Sequence, residues 1–257
     1  MEEGRFRVKL VVSLLIATAM VFAQEKPPGI PANGFVVETA WVPDAIKKDR
    51  LIVLWMIEPQ KGDYKIGAAP EACPDQTRGV AYSGKTRVSL IDTAAHRLVN
   101  TIDIHTSEED AFEIPMIIWP GYYTVPKLTQ QNAGKPKILD LRDFNGDGKA
   151  LEFAFYEAES CMGLATTLLG YSAKQDKLIQ YSVDLTVLDG LRREERVEVW
   201  PDYLFHQKPI SPGNWKYTID YSGRGGCTDS YLVNYSAAAE RFSGTVTYSN
   251  CPKEPKN

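Results

Sequence analysis

Short stretches of alternating apolar and polar residues, separated by tight turns, recur along this chain and constrain its fold more than any other feature. Residues 88–91, 98–104, 151–155 and 230–235 all show it. That is the period of a half-buried strand. Sixteen prolines, several near strand ends, argue against long helices. Only two stretches, 107–112 and 188–196, read as helix, and both are short and charged. Four turns share one pattern: Asp49-Arg50-Leu51, His96-Arg97-Leu98, Asp176-Lys177-Leu178 and Glu240-Arg241-Phe242. In each, a polar residue and a cation follow a turn, and an apolar residue opens the return strand. A second pattern joins Tyr82-Ser83-Gly84, Phe144-Asn145-Gly146 and Tyr221-Ser222-Gly223. The spacing is too uneven for a regular array. The expectation is an all-β fold of antiparallel hairpins in propeller-like units, with a β-sandwich as the alternative.

Residues 1–23 read as a signal peptide. Arg5, Arg7 and Lys9 precede an apolar run, and Val21-Phe22-Ala23 offers a cleavage point. The run is short for a membrane anchor. Residues 24–33 form a Pro-rich linker, and 34–257 a single all-β domain. The address is secreted or periplasmic, with no membrane association after cleavage. Removing three cations and two acids with the leader moves the net charge from −4 to −5, which argues against a nucleic-acid partner.

Export makes the four cysteines, Cys73, Cys161, Cys227 and Cys251, candidates for disulfides. Centring the last turn near residues 238–239 pairs Tyr235 with Phe242 and Tyr231 with Val246, which keeps large apolar groups on one face. That register leaves Cys227 and Cys251 one residue out of alignment, so a single bulge brings them together. Cys73–Cys161 follows by elimination. Closing a loop of ~25 residues stabilises by at most roughly 3–4 kcal/mol.

Asp143-Phe144-Asn145-Gly146-Asp147-Gly148-Lys149 sets three oxygen-bearing side chains at alternate positions around a glycine-rich bend. A hard cation such as Ca²⁺ takes six to eight oxygens in this way, with the Lys149 carbonyl a further ligand. The segment resembles the calcium loops of FG-GAP and VCBS-type repeats, D-x-N-x-D-G-x-x-D running into a strand. Asp143, Asn145, Asp147 and Gly148 match position by position over about 138–156. The resemblance implies a calcium cofactor held by Asp143, Asn145 and Asp147. The closing acid, Glu152, stands one residue beyond the family's position. A bare Asn-Gly turn is the competing reading.

Catalytic patterns are sparse. His96, His105 and His206 stand in no metal-ligand spacing, and no G-x-S-x-G elbow or phosphate-cradling loop is present. Glu157 and Glu159 share a face at strand period and are the acids a glycoside hydrolase would use. Trp119, Tyr122 and Tyr123 flank a Pro-Gly turn, where they would stack on a sugar or a protein partner, or else pack inward. The reading that results is a secreted, non-catalytic binding or structural module with one calcium site and an unknown glycan or protein ligand. The alternative is a secreted hydrolase of polysaccharide or cell-wall material.

Overall fold

A computed structural model describes residues 26–64, 79–104, 116–118, 138–159, 163–188, 193–197 and 207–252. These residues form fifteen strands and no α-helix. The first sheet runs β1 (Gly34–Trp41), β2 (Arg50–Ile57), β5 (Thr86–Asp92), β6 (Arg97–Asp103), all antiparallel. A second joins β3 (Gln60–Tyr64), β4 (Gly79–Gly84) and β7 (Met116–Ile118). The third is β10 (Lys177–Gln180), β9 (Gly163–Ser172), β8 (Glu152–Glu159). The fourth runs β12 (Arg193–Val197), β11 (Val183–Leu188), β15 (Arg241–Ser249), β14 (Thr228–Ser236), β13 (Asn214–Asp220). Among the described residues the sheets make neither a propeller nor a closed barrel. Strand numbers differ from sheet to sheet, and β11 lies parallel to β15, which a set of repeated antiparallel blades does not contain.

One continuous core joins three of these sheets. Ile52, Leu54 and Met56 from β2 meet Phe153 and Phe155 from β8, and the cluster runs on to Val183, Trp215 and Phe242. The unbroken apolar run of β2 suits a central strand buried on both faces, and Val53 and Trp55 form a second cluster on its other side.

The recurrent turn is a structural repeat in three of its four copies. Asp92, Ser172 and Ser236 each accept a hydrogen bond from the N–H three residues on, at Ala95, Gln175 and Ala239. His96, Asp176 and Glu240 then take positive φ, at 49°, 50° and 48°. The strand resumes one residue later, pairing Asp92 with Arg97, Ser172 with Lys177 and Ser236 with Arg241. Asp49 shares the positive φ, 59°, in a longer connection. The second pattern has no common structure: it ends β4, forms a loop at 144–147 and makes a 3-10 turn at Ser222–Arg224.

Side chains of these turns tie the sheets together. Buried Arg50 forks onto Asp176, with Nε to Oδ1 at 2.9 Å and Nη2 to Oδ2 at 2.7 Å, and its Nη1 lies 2.9 Å from Asp92. Tyr171 donates to Asp176 as well. Glu240 accepts from the Ser172 hydroxyl and the Gln175 amide. Between β6 and β10, Asn100 stands in for a strand: its amide donates to Leu178 C=O and accepts from Leu178 N–H.

The helix expected over 188–196 is absent; residue 188 ends β11 and 193–197 form β12, paired with β11 from Val183↔Val197 to Val187↔Arg193. Sheet pairing overrides the local charge pattern, and charged residues suit the edge that β12 occupies. The Cys227–Cys251 disulfide is present, on the register expected: Tyr235↔Phe242 and Tyr231↔Val246. The one-residue offset is taken up beyond the ladder by Asn250, at φ 51°. Cys73, Cys161, the leader and the 107–112 stretch lie outside the described residues.

The Arg50 fork holds the Asp176 carboxyl well below the usual carboxylate range. A depressed acid stabilises the fold at pH values above its unfolded pKa and loses that contribution as pH falls toward its folded one. Asp176→Asn is therefore expected to lower stability by about 1 kcal/mol at neutral pH, allowing for the exposure of its carboxylate. The gap to wild type should close below about pH 4 in denaturant titrations followed by circular dichroism.

Candidate functional site

The loop over 143–152 connects the buried Ile138-Leu139 segment to β8, and its side chains face its own backbone. Asp143 Oδ1 accepts from the N–H groups of Gly146 and Asp147 at 2.7 and 3.1 Å, and Oδ2 from Gly148 at 2.9 Å. Asn145 Oδ1 accepts from the same Asp147 N–H at 2.8 Å. Asp147 Oδ1 accepts from Lys149 N–H at 2.9 Å. Asp143 and Asn145 thus share a donor, which brings an oxygen of each to one side of the bend. Gly146 and Gly148 have φ of 75° and 82°, the left-handed values that such a bend requires. Lys149 Nζ is 4.0 Å from Asp147.

Glu152 has a different setting. It opens β8 with no solvent exposure and lies under the loop. Oε2 accepts from the N–H groups of Phe144 and Asn145 at 3.0 and 3.4 Å, and Oε1 from the Asn145 amide at 3.0 Å and the Tyr181 hydroxyl at 3.4 Å. This carboxyl is pushed up to about 8: burial raises it most, the two backbone N–H groups pull it down, and the charges of Asp147 and Asp143 raise it further toward that value. Burial also raises the Tyr181 phenol, which stays a donor. Four donors occupy the lone-pair sites a carboxylate offers. Glu152 therefore shapes the loop from beneath.

The other side of the loop is wedged against the start of β13. A Cβ on Gly146 would lie 2.1 Å from Gly213 N and 2.3 Å from Pro212 C, and one on Gly213 would lie 2.4 Å from Asn145 O. Trp215 donates its indole N–H to Phe144 C=O at 3.2 Å, and the two rings are 6.2 Å apart. The bend therefore joins the third sheet to the fourth. Trp215, which with Tyr217 could be read from sequence as either a stacking surface or an inward-packing residue, packs inward; Tyr181 and the Pro212-Gly213 turn were missed, since nothing local linked them to the bend.

The donor set is all oxygen, the chemistry Ca²⁺ prefers. Among the described residues, no group of three or more His, Cys, Asp or Glu side chains is arranged to hold a metal. An ion at this bend would rely on Asp143, Asp147, the Asn145 amide, the Lys149 carbonyl and water. Of the remaining candidates, His96 is exposed at its turn. Glu157 and Glu159 are alternate residues of β8, but their side chains, like all of Trp119, Tyr122, Tyr123, His105 and His206, lie outside what is described. Comparisons with protein-family models, curated proteins and solved structures find no match.

Two glycines separate packing from backbone strain. Gly146→Ala collides with backbone and should destabilise by at least about 3 kcal/mol. Gly148→Ala meets nothing within 4 Å and should cost about 1 kcal/mol from positive φ alone, both read from chemical unfolding. Glu152 supplies a pH test of opposite sign to Asp176. An acid whose folded pKa is raised binds more protons folded than unfolded, so stability falls as pH rises from about 5 to 8. Glu152→Gln should flatten that dependence in urea titrations of the metal-free protein.

Proposed function

We propose that this chain is an exported, non-catalytic binding or structural β module in which the 143–152 bend holds one structural Ca²⁺. The observation that carries the reading is the position of the bend, wedged between β8 and the turn before β13, with Asp143 and Asn145 each turning an oxygen onto the Asp147 N–H. Asp143, Asn145 and Asp147 would supply side-chain oxygens, and Lys149 its carbonyl. Glu152 would hold the backbone from below. The ion would supply positive charge beside Asp143 and Asp147, whose charges add to burial in raising the Glu152 pKa. Residues packed this tightly into a sheet junction favour a bracing ion over a reacting one.

With two carboxylates and a neutral amide, affinity should match extracellular modules, Kd roughly 10⁻⁴–10⁻³ M. Calcium at tenfold excess over Kd should then add about 1.4 kcal/mol, a rise of a few degrees in Tm over the EDTA-treated protein. The double variant Asp143→Asn, Asp147→Asn should lose that rise. Superimposable melting curves together with no heat of binding in calorimetry would remove the ion from the proposal.

A further inference from the structure

The outer face of the first sheet carries one apolar row, and residues 26–33 of the same chain lie across it. Trp41, Leu51, Ile91 and Leu98 are register partners in sequence from β1 to β6, one apolar row crossing all four strands. Val53 and Trp55 of β2 extend the same face inward. Trp55 is fixed there: its indole N–H donates to Ser89 Oγ at 2.9 Å, Ser89 bonds Thr101 at 2.8 Å, and the Arg87 guanidinium sits 5.4 Å from the ring centroid. The row is covered unevenly: Ile91 is wholly buried, Leu98 is partly covered at 39% exposure, and Trp41 stands open at 56%.

The cover is Lys26-Pro27-Pro28-Gly29-Ile30-Pro31-Ala32-Asn33. Ile30 is buried in one cluster with Val53, Trp55 and Ile91. Gly29, at φ 83°, brings backbone so close to Leu98 that a Cβ would lie 2.7 Å from the leucine Cβ. Prolines at 27, 28 and 31 have no N–H to offer a sheet. Their segment closes on itself through Ile30 N–H to Pro27 C=O at 3.2 Å and Gly34 N–H to Pro31 C=O at 2.9 Å. It meets β2's end through Asn33, whose carbonyl accepts from Glu58 N–H. The segment is thus seated by one aliphatic side chain between prolines, on a face that carries two tryptophans.

We propose that this face is a docking site for a proline-flanked aliphatic peptide that turns as residues 26–33 do, and that residues 26–33 fill it as a displaceable plug. Prolines restrict such a segment before it binds, so it loses less conformational entropy on docking. The occupant already in place defines the chemistry of its competitor: a β-branched aliphatic residue set between prolines, with no need of backbone pairing. The open end of the row at Trp41 gives a longer competing peptide apolar area that the plug leaves uncovered. The site stands apart from the 143–152 bend and does not depend on an ion there.

The test uses the full chain and a synthetic peptide of residues 26–33, with binding followed by calorimetry and tryptophan fluorescence. Ile30→Asp, which unseats the plug without altering the face, should bind the peptide at least about ten-fold more tightly than wild type. The same peptide carrying aspartate in place of its isoleucine should bind neither. In wild type, hydrogen exchange at Ile30 and Gly34 should be at least about ten-fold faster than at Val53 and Leu90, as local opening requires. Equal affinity of both proteins, no binding by either, or a plug that exchanges only with β2 and β5 would overturn the proposal. Gly29→Ala, which pushes the plug off Leu98, provides the same comparison if Ile30→Asp does not fold, and absence of tighter binding there would overturn it equally. Asp143→Asn, Asp147→Asn should bind the peptide as wild type does, which separates failure of this site from failure of the calcium reading.

Discussion

A buried carboxylate that receives four hydrogen bonds organises the junction on which the rest of this molecule depends. Without Glu152, the N–H groups of Phe144 and Asn145 would face a closed interior with no acceptor, and each such loss costs about 1–3 kcal/mol. With it, the chain can reverse sharply, present Gly146 to the Pro212-Gly213 turn and bring Phe144 under Trp215. The packing of the third sheet on the fourth follows from that reversal. Its electrostatic cost is visible in the raised carboxyl, since burial beside two further acids disfavours charge.

A second organising device works at the turns. Three hairpins use one local solution, a side-chain acceptor bonded to the N–H three residues on, followed by a residue in the left-handed region. Positive φ is costly for a side chain, and two of the three residues that adopt it also make long-range contacts: Asp176 reaches Arg50 and Glu240 reaches Ser172, while in the third turn Asp92 reaches Arg50. The Arg50 fork, buried and bidentate, belongs to the class of ion pair whose geometry matters most. Each turn therefore both reverses its own hairpin and fastens it to another.

Local periodicity explains what could be read in advance. The hairpins, the turn pattern and the register that pairs Tyr235 with Phe242 all follow from neighbours in sequence, and that register led to Cys227–Cys251. Asp143, Asn145 and Asp147 were legible as a bend because their spacing and glycines are local. The task of Glu152 was not, because its burial beneath the loop depends on tertiary packing that brings in Tyr181, 29 positions later. Residues 188–196 misled for the converse reason: their charges resemble a solvated helix, while pairing with β11 makes them a sheet edge. Nor does local pattern reveal that Asn100 would act as a substitute strand for Leu178.

The parallel pairing of β11 with β15 has a kinetic consequence. β15 is the middle strand of its sheet, flanked by β11 and β14, yet it is the last strand in the described chain. β11 emerges about sixty residues before the partner that completes it. Until then its apolar side, Val183, Leu185 and Val187, has no lateral neighbour on that edge, and closing so long a loop is slow. A chain threaded out N-terminus first must carry that unfinished edge until β15 follows, so this sheet cannot close when β11 appears and the interval between the two strands is the one most exposed to mispairing.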